Sequence, residues 1–282
     1  MPESAASPPD RGARLPLWQL VAIGLVAGLL SGLFGVGGGV LLVPALVLVV
    51  GMRQRIAHAT SLAAVVPISI VGASAYLVRG SVDLAVAGLL AVGTVIGAVW
   101  GVRLLGWLSE TWLRWLFIAF MMVVATQLFF HIPNREAELE ITGTTIAVLI
   151  GIGLATGLLS GLLGVGGGVF MVPVMMLFLG MSDVSAKGVS LLVVIPTGLS
   201  ATYLSMRNEN VDLRAAAAIG IAGAATSLGG AALAFWLDPR LASILFAVFL
   251  LVLAIRMAVH ARAEMRAVKG QPQTQPSDSR DA

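Results

Sequence analysis

Cysteine is absent from the 282-residue chain, which excludes disulfides, thiolate metal sites and cysteine nucleophiles. Histidine is scarce: His58, His131 and His260 lie far apart, and none sits in a metal-ligand spacing. Charge is scarce too. Only 11% of the residues are Asp, Glu, Lys or Arg, against about a quarter in an ordinary soluble domain. So little polar surface cannot clothe a soluble fold of this length. There is no Ser-His-Asp grouping, no paired carboxylate site, no metal motif and no ATP-binding motif, so neither an enzyme nor a cofactor is expected. The pI near 9.9 does not point to nucleic acid, because the basic residues form no patch interleaved with aromatics. They gather at loops and termini, where orientation in a bilayer accounts for them.

Apolar residues are what the chain has in abundance: 58% of the sequence, with a mean hydropathy of +0.98. Runs of roughly 18 or more apolar residues recur from Leu17 to Val259, the mark of helices that cross a membrane. An all-α integral membrane protein is expected, with the lipid bilayer as its surroundings. Residues 1–14 lack an apolar core and read as a disordered tail rather than a signal peptide, and residues 268–282 read as a second polar tail.

Two stretches repeat. Residues 28–44 are GLLSGLFGVGGGVLLVP and residues 157–173 are GLLSGLLGVGGGVFMVP. Aligned without a gap at an offset of 129, residues 28–84 and 157–213 share 25 identities in 57 positions, including glycines, prolines and the Val-Asp-Leu at each end. This is an internal duplication, and in a membrane protein it points to transporter architecture. The first repeat (15–131) divides into apolar segments at about 17–34, 38–51, 56–78, 82–105 and 111–131. The second (141–262) divides at about 141–163, 167–181, 186–206, 211–237 and 240–260. Residues 132–140 link them.

Residues 17–51 as one helix would be about 50 Å long, against a bilayer core of about 30 Å, so the glycine run must bend the chain. The first arm, about 27 Å, can nearly cross and the second, about 21 Å, is short for a full span, so two spans or a re-entrant pair would fit. Either way each repeat crosses an odd number of times, which inverts the second repeat relative to the first. With both termini cytoplasmic, 13 basic residues fall inside and 4 outside; an even number of crossings would give 11 and 6. The equivalent loops agree: GMRQRIA (51–57) carries two arginines, GMSDVSA (180–186) none. The linker, net acidic, belongs outside. Trp107, Trp112 and Trp115 suit an aromatic belt.

An unwound backbone in lipid survives only where protein or water surrounds it. Gly35, Gly37, Gly38 and Gly39, with Gly164, Gly166, Gly167 and Gly168, can take positive φ ahead of a new helix. The first amides of that helix are unpaired and its dipole is positive there, so each run is a natural anion cradle. Inverted repeats would bring the two cradles together near the midplane. The competing reading is tight helix packing, preferred for the isolated Gly93, Gly97 and Gly101. GVGGG lacks the Lys-Ser/Thr pair of a nucleotide-binding loop.

Ser31 and Ser160 precede the glycine runs, where each hydroxyl could bond substrate or the preceding helical turn. Thr60, Ser61 and Ser190 stand near the next helix start, where capping competes with substrate contact. His58 and Lys187 are equivalent positions for attracting an anion or sensing a proton, with snorkelling to the interface the plainer reading of Lys187. Asp83 and Asp212 read as helix caps, Gln127 and Arg256 as helix-end residues, and Pro44, Pro67, Pro173 and Pro196 as kinks.

The duplicated GLLSGL-GVGGGV--VP block, the Thr60-Ser61-Leu62 or Val189-Ser190-Leu191 stretch and the Val-Asp-Leu turn resemble the sulfite exporter TauE/SafE family. The resemblance spans about residues 20–258. It implies a carrier in the bacterial inner membrane that moves sulfite, organosulfonates or related small anions, usually outward, with no nucleic acid partner. Val189 departs from Thr60, so a threonine contact does not carry to the second half. Two other readings stay open: an anion channel with the same glycine amides as its filter, and a membrane assembly partner whose glycines only pack helices. Assembly into a homo-oligomer is left open as well.

Overall fold

The computed structural model describes residues 16–105, 107, 109–130, 143–207 and 211–269. The expected terminal tail at 1–14, the linker at 132–140, and His131 lie outside the described residues. Ten helices run through the rest: α1 (Leu17–Phe34), α2 (Gly39–Leu48), α3 (Gln54–Val78), α4 (Leu84–Leu105) and α5 (Glu110–Phe130) in the first half. The second half repeats them as α6 (Gly143–Leu163), α7 (Gly168–Phe178), α8 (Asp183–Met206), α9 (Leu213–Trp236) and α10 (Pro239–Lys269). No strand occurs among the described residues. Every apolar segment became a helix with ends moved by a few residues, except that α10 runs on past residue 262 to Lys269.

Seven of these helices are long and apolar enough to cross a bilayer: α1, α3, α4, α6, α8, α9 and the Arg240–Val259 part of α10. α2 and α7 have 10 and 11 residues. At 1.5 Å per residue each is about 15 Å long, about half a bilayer core.

Small residues decide the packing, as they must where lipid supplies no hydrophobic drive between helices. Along α1, a Cβ placed on Gly24, Gly28 or Gly32 would strike the backbone of Ile219, Gly223 or Ser227 on α9. Along α6, Gly153, Gly157 and Gly161 meet Leu90, Thr94 and Ala98 on α4 in the same way. Gly93, Gly97 and Gly101 complete that seam against Ile150, Leu154 and Leu158, as the packing reading expected. The contacts of Gly24, Gly28 and Gly32 thus recur at Gly153, Gly157 and Gly161, with both partners shifted by 129 residues.

The helices at the centre reveal how the halves face each other. On α3 and α8, Gly72 meets Leu191, Tyr76 meets Gly188, and Val66 and Leu62 meet Gly198. Numbers rise on one helix as they fall on the other, so α3 and its equivalent α8 pass in opposite directions. The aspartates of the Val-Asp-Leu turns cap as expected: Asp83 Oδ1 accepts from the amides of Ala85 and Val86 at 2.9 and 3.1 Å, and Asp212 Oδ1 from Ala215 at 3.0 Å. Trp107 and Trp112 are exposed, at 90% and 69%, and Trp115 is half-buried.

Candidate functional site

The glycine runs end one helix and begin the next within four residues. Gly35 closes α1 in the left-handed conformation at φ 70°, its N–H donating to Ser31 O at 2.8 Å. Gly37 and Gly38 also have positive φ, 71° and 81°, and α2 starts at Gly39. The second half repeats this: Gly164 at φ 68° donates to Ser160 O at 2.8 Å, Gly166 and Gly167 lie at 81° and 85°, and α7 starts at Gly168. Three left-handed residues in a row of five are open only to glycine at low cost, which is why the run is glycine.

Both turns are buried and they touch. A Cβ on Gly39 would strike Val165, and one on Gly168 would strike Val36, so each turn lies against the valine of the other. Val65 and Val194, equivalent residues of α3 and α8, close over the turns; a Cβ on Gly37 would lie 2.9 Å from Val65 Cγ1 and 3.1 Å from Val194 Cγ1. Glycine here is required by contact as well as by φ.

Polar groups around the turns are under-used. Among the described residues, the amides of Gly37, Gly38, Gly166 and Gly167 make no backbone hydrogen bond. The hydroxyls of Ser31, Ser61, Ser160 and Ser190 are buried, with no hydrogen-bond partner among the described residues. Ser31 and Ser160 lie beside Gly38 and Gly167, and Ser190 Oγ is 2.8 Å from where a Cβ of Gly168 would be. Buried hydroxyls left unbonded cost about 1–3 kcal/mol each, and Ser31 with Ser160 and Ser61 with Ser190 are equivalent pairs. Ser69 belongs with them: it is buried and unpartnered, 3.3 Å from the Cβ position of Gly37. Nothing in its local sequence marks it out, and its equivalent is Gly198. Thr60 does not join this set. Its hydroxyl accepts from the amide of Asp212 at 3.0 Å and ties α3 to the start of α9.

His58 and Lys187 flank the turns from opposite sides. A Cβ on Gly164 would lie 2.6 Å from His58 Cα, and one on Gly35 would lie 2.5 Å from Lys187 Cα. His58 is fully buried, with Nδ1 3.0 Å from Leu162 O and Nε2 3.0 Å from Gln54 Nε2. The pattern fits a neutral ring that donates from Nδ1 to the carbonyl and accepts the amide at Nε2. Lys187 does not snorkel. Its side chain is 4% exposed and donates to Asp183 Oδ2 at 2.8 Å, an ion pair one turn apart on α8. Asp183 falls in the stretch 180–186 that reads as a loop in the sequence; it instead opens α8 with its side chain 2% exposed. The i, i+4 spacing to Lys187 was the available signal.

Ten helices, among them seven potential spans, define a multi-pass membrane protein. The chain belongs to the family described as Sulfite exporter TauE/SafE, which residues 3–128 and 148–280 match. It is similar to "Probable membrane transporter protein YunE" of Bacillus subtilis (strain 168), 26% identical over 68% of this chain and 79% of that one. A "Probable membrane transporter protein" of Xylella fastidiosa (strain 9a5c) is 30% identical over 68% of this chain and 75% of its own length. "Probable membrane transporter protein YdhB" of Bacillus subtilis (strain 168) is 22% identical over 63% and 74%. No solved structure matches the chain. The protein is a membrane transporter and not an enzyme.

Proposed function

We propose that the protein is a secondary transporter that exports a small sulfur-containing oxyanion, sulfite or an organosulfonate, across the bacterial inner membrane. The observation that carries this reading is the meeting of the two GVGGG turns, with bare amides and unpartnered serine hydroxyls gathered where the halves touch. Amides at a helix start and serine O–H groups can only donate toward an anion there, and no buried side-chain charge need be brought to bear. The roles follow the dyad: Gly37–Gly39 and Gly166–Gly168 receive the anion, and Ser31, Ser61, Ser160 and Ser190 complete its shell. The family description supplies the substrate class.

Alternating access is the mechanism in this reading. The opposite courses of α3 and α8 and the excess of basic residues in alternate loops support halves inverted in the bilayer, with both termini cytoplasmic. Closure over the turns by Val65 and Val194 favours a carrier over a permanently open pore.

The test is counterflow in proteoliposomes across sulfite, thiosulfate, sulfate, sulfoacetate and chloride, with the intact protein and with Ser61→Ala/Ser190→Ala. Saturable sulfite or sulfoacetate flux that falls at least about tenfold in the double variant is expected, since each lost charge-assisted bond is worth about 1.5–3 kcal/mol. If none of the five anions moves, the sulfur-oxyanion reading fails.

A further inference from the structure

The duplication contains its own control experiment. At one pair of equivalent positions the first half carries Gln54 and His58 and the second carries Asp183 and Lys187. Both pairs are one turn apart, both are buried, and both are hydrogen-bonded, at 3.0 and 2.8 Å. Each also packs its histidine or lysine backbone on the glycine that ends the opposite half's first helix. The fold therefore takes a neutral pair at this position as readily as a charged one. A buried ion pair is seldom a net gain over neutral groups of similar size, and ionisable groups within a membrane fold most often mark an ion path.

The charged pair also borders a recess that its lining makes unusual. Phe34, Pro173, Ser243 and Phe246 surround Asp183 and Lys187, leaving about 10 Å³ of free space, close to what one water-sized group needs. Phe34 and Phe246 stack across it with centroids 4.4 Å apart. Among the described residues Asp183 is the sole charged partner of Lys187. Tyr76, which faces α8 at Gly188, spends its hydroxyl on Gly32 O at 2.7 Å. Two of the three ammonium protons thus have no protein acceptor among the described residues.

We propose that this recess is an anion site beside the glycine turns, in which a small oxyanion or carboxylate takes the place of the Asp183 carboxylate on Lys187 and occupies the space that the carboxylate vacates together with the recess. Asp183 acts as a resident counterion of Lys187 and yields to a passing anion of the same charge. Placement in the second half alone gives the two faces of the molecule different affinities for an anion, a neutral His58 face and a cationic Lys187 face. The inference rests on the transporter reading for its purpose, but its test uses no flux.

With no native cysteine, Ser243→Cys provides a single thiol at the recess. Its alkylation by iodoacetate is compared with that by iodoacetamide, which has nearly the same size and no charge. The ratio of the two rates reports local potential, because thiol ionisation and access cancel; N-acetylcysteine sets the reference. The expected ratio exceeds the reference with the pair intact, rises roughly tenfold further in Asp183→Asn, and returns to the reference in Asp183→Asn/Lys187→Gln, since a potential equivalent to about 1.4 kcal/mol is worth that factor. The double variant imitates the neutral pair of the first half, so it keeps the fold. Equal ratios in Asp183→Asn and the double variant, or a thiol that iodoacetamide cannot reach, would overturn the proposal. Ser61→Ala/Ser190→Ala should leave the ratio unchanged even where it abolishes sulfite flux, which separates this site from the glycine turns.

Discussion

Residue by residue, the same sequence position plays different parts in the two halves. Thr60 and Val189 are equivalent and nearly isosteric, yet only Thr60 has a hydroxyl, and it accepts the Asp212 amide at 3.0 Å. Thr60→Val should therefore fit without a clash and still lower stability by about 1 kcal/mol or somewhat more, because a part-buried N–H loses its acceptor. A fall in melting temperature in detergent with sulfite counterflow retained is the expected result; lost flux at unchanged stability would return Thr60 to the substrate shell. The bond joins residues 152 apart in the chain, which is why local reading left capping and substrate contact equally open. Asp183 was hidden for a different reason. The apolar segment was drawn from residue 186, so a carboxylate three residues earlier read as loop, while the i, i+4 bond to Lys187 pulls the helix start back to it. Ser69 had no signal at all, because its significance comes only from facing Gly37 on another element.

Elements were far more legible. Period-free apolar runs broken by GVGGG, Pro and Val-Asp-Leu marked the helices to within a few residues, since in a membrane hydropathy and helix breakers act almost alone. Whether residues 17–51 make two spans or a re-entrant pair was the part left open; α2 and α7, with 10 and 11 residues, are each about half a bilayer core long. Glycines in helix interiors sort by what stands opposite them. Gly28 lies on the backbone of Gly223 across the α1–α9 seam, whereas Gly88 on α4 has nothing within 4 Å. Gly28→Ala should force the seam apart and lower the melting temperature by several degrees. Gly88→Ala should hold or raise it, through the roughly 1 kcal/mol gain in helix propensity. Equal behaviour of the two variants in thermal unfolding would mean that the seam tolerates a methyl group and that close approach is not what selects glycine there.

At the level of the whole molecule, one relation organises much of the packing: the glycine contacts of the α1–α9 seam recur in the α4–α6 seam 129 residues away. The charge pattern of the loops leads to the expectation of two opposed halves, and α3 and its equivalent α8 run in opposite directions. The two buried glycine turns meet, each against the valine of the other. Trp107, two residues past the end of α4, and Trp236, the last residue of α9, are equivalent and are 90% and 87% exposed. In a chain without cysteine, Trp107→Cys and Trp236→Cys each carry a single thiol at one of these ends. The most direct measurement is their labelling by a membrane-impermeant maleimide in intact spheroplasts and in inside-out vesicles. Opposed halves predict that Trp107→Cys reacts only from the cytoplasmic face and Trp236→Cys only from the periplasmic face; reaction of both from the same face would contradict it.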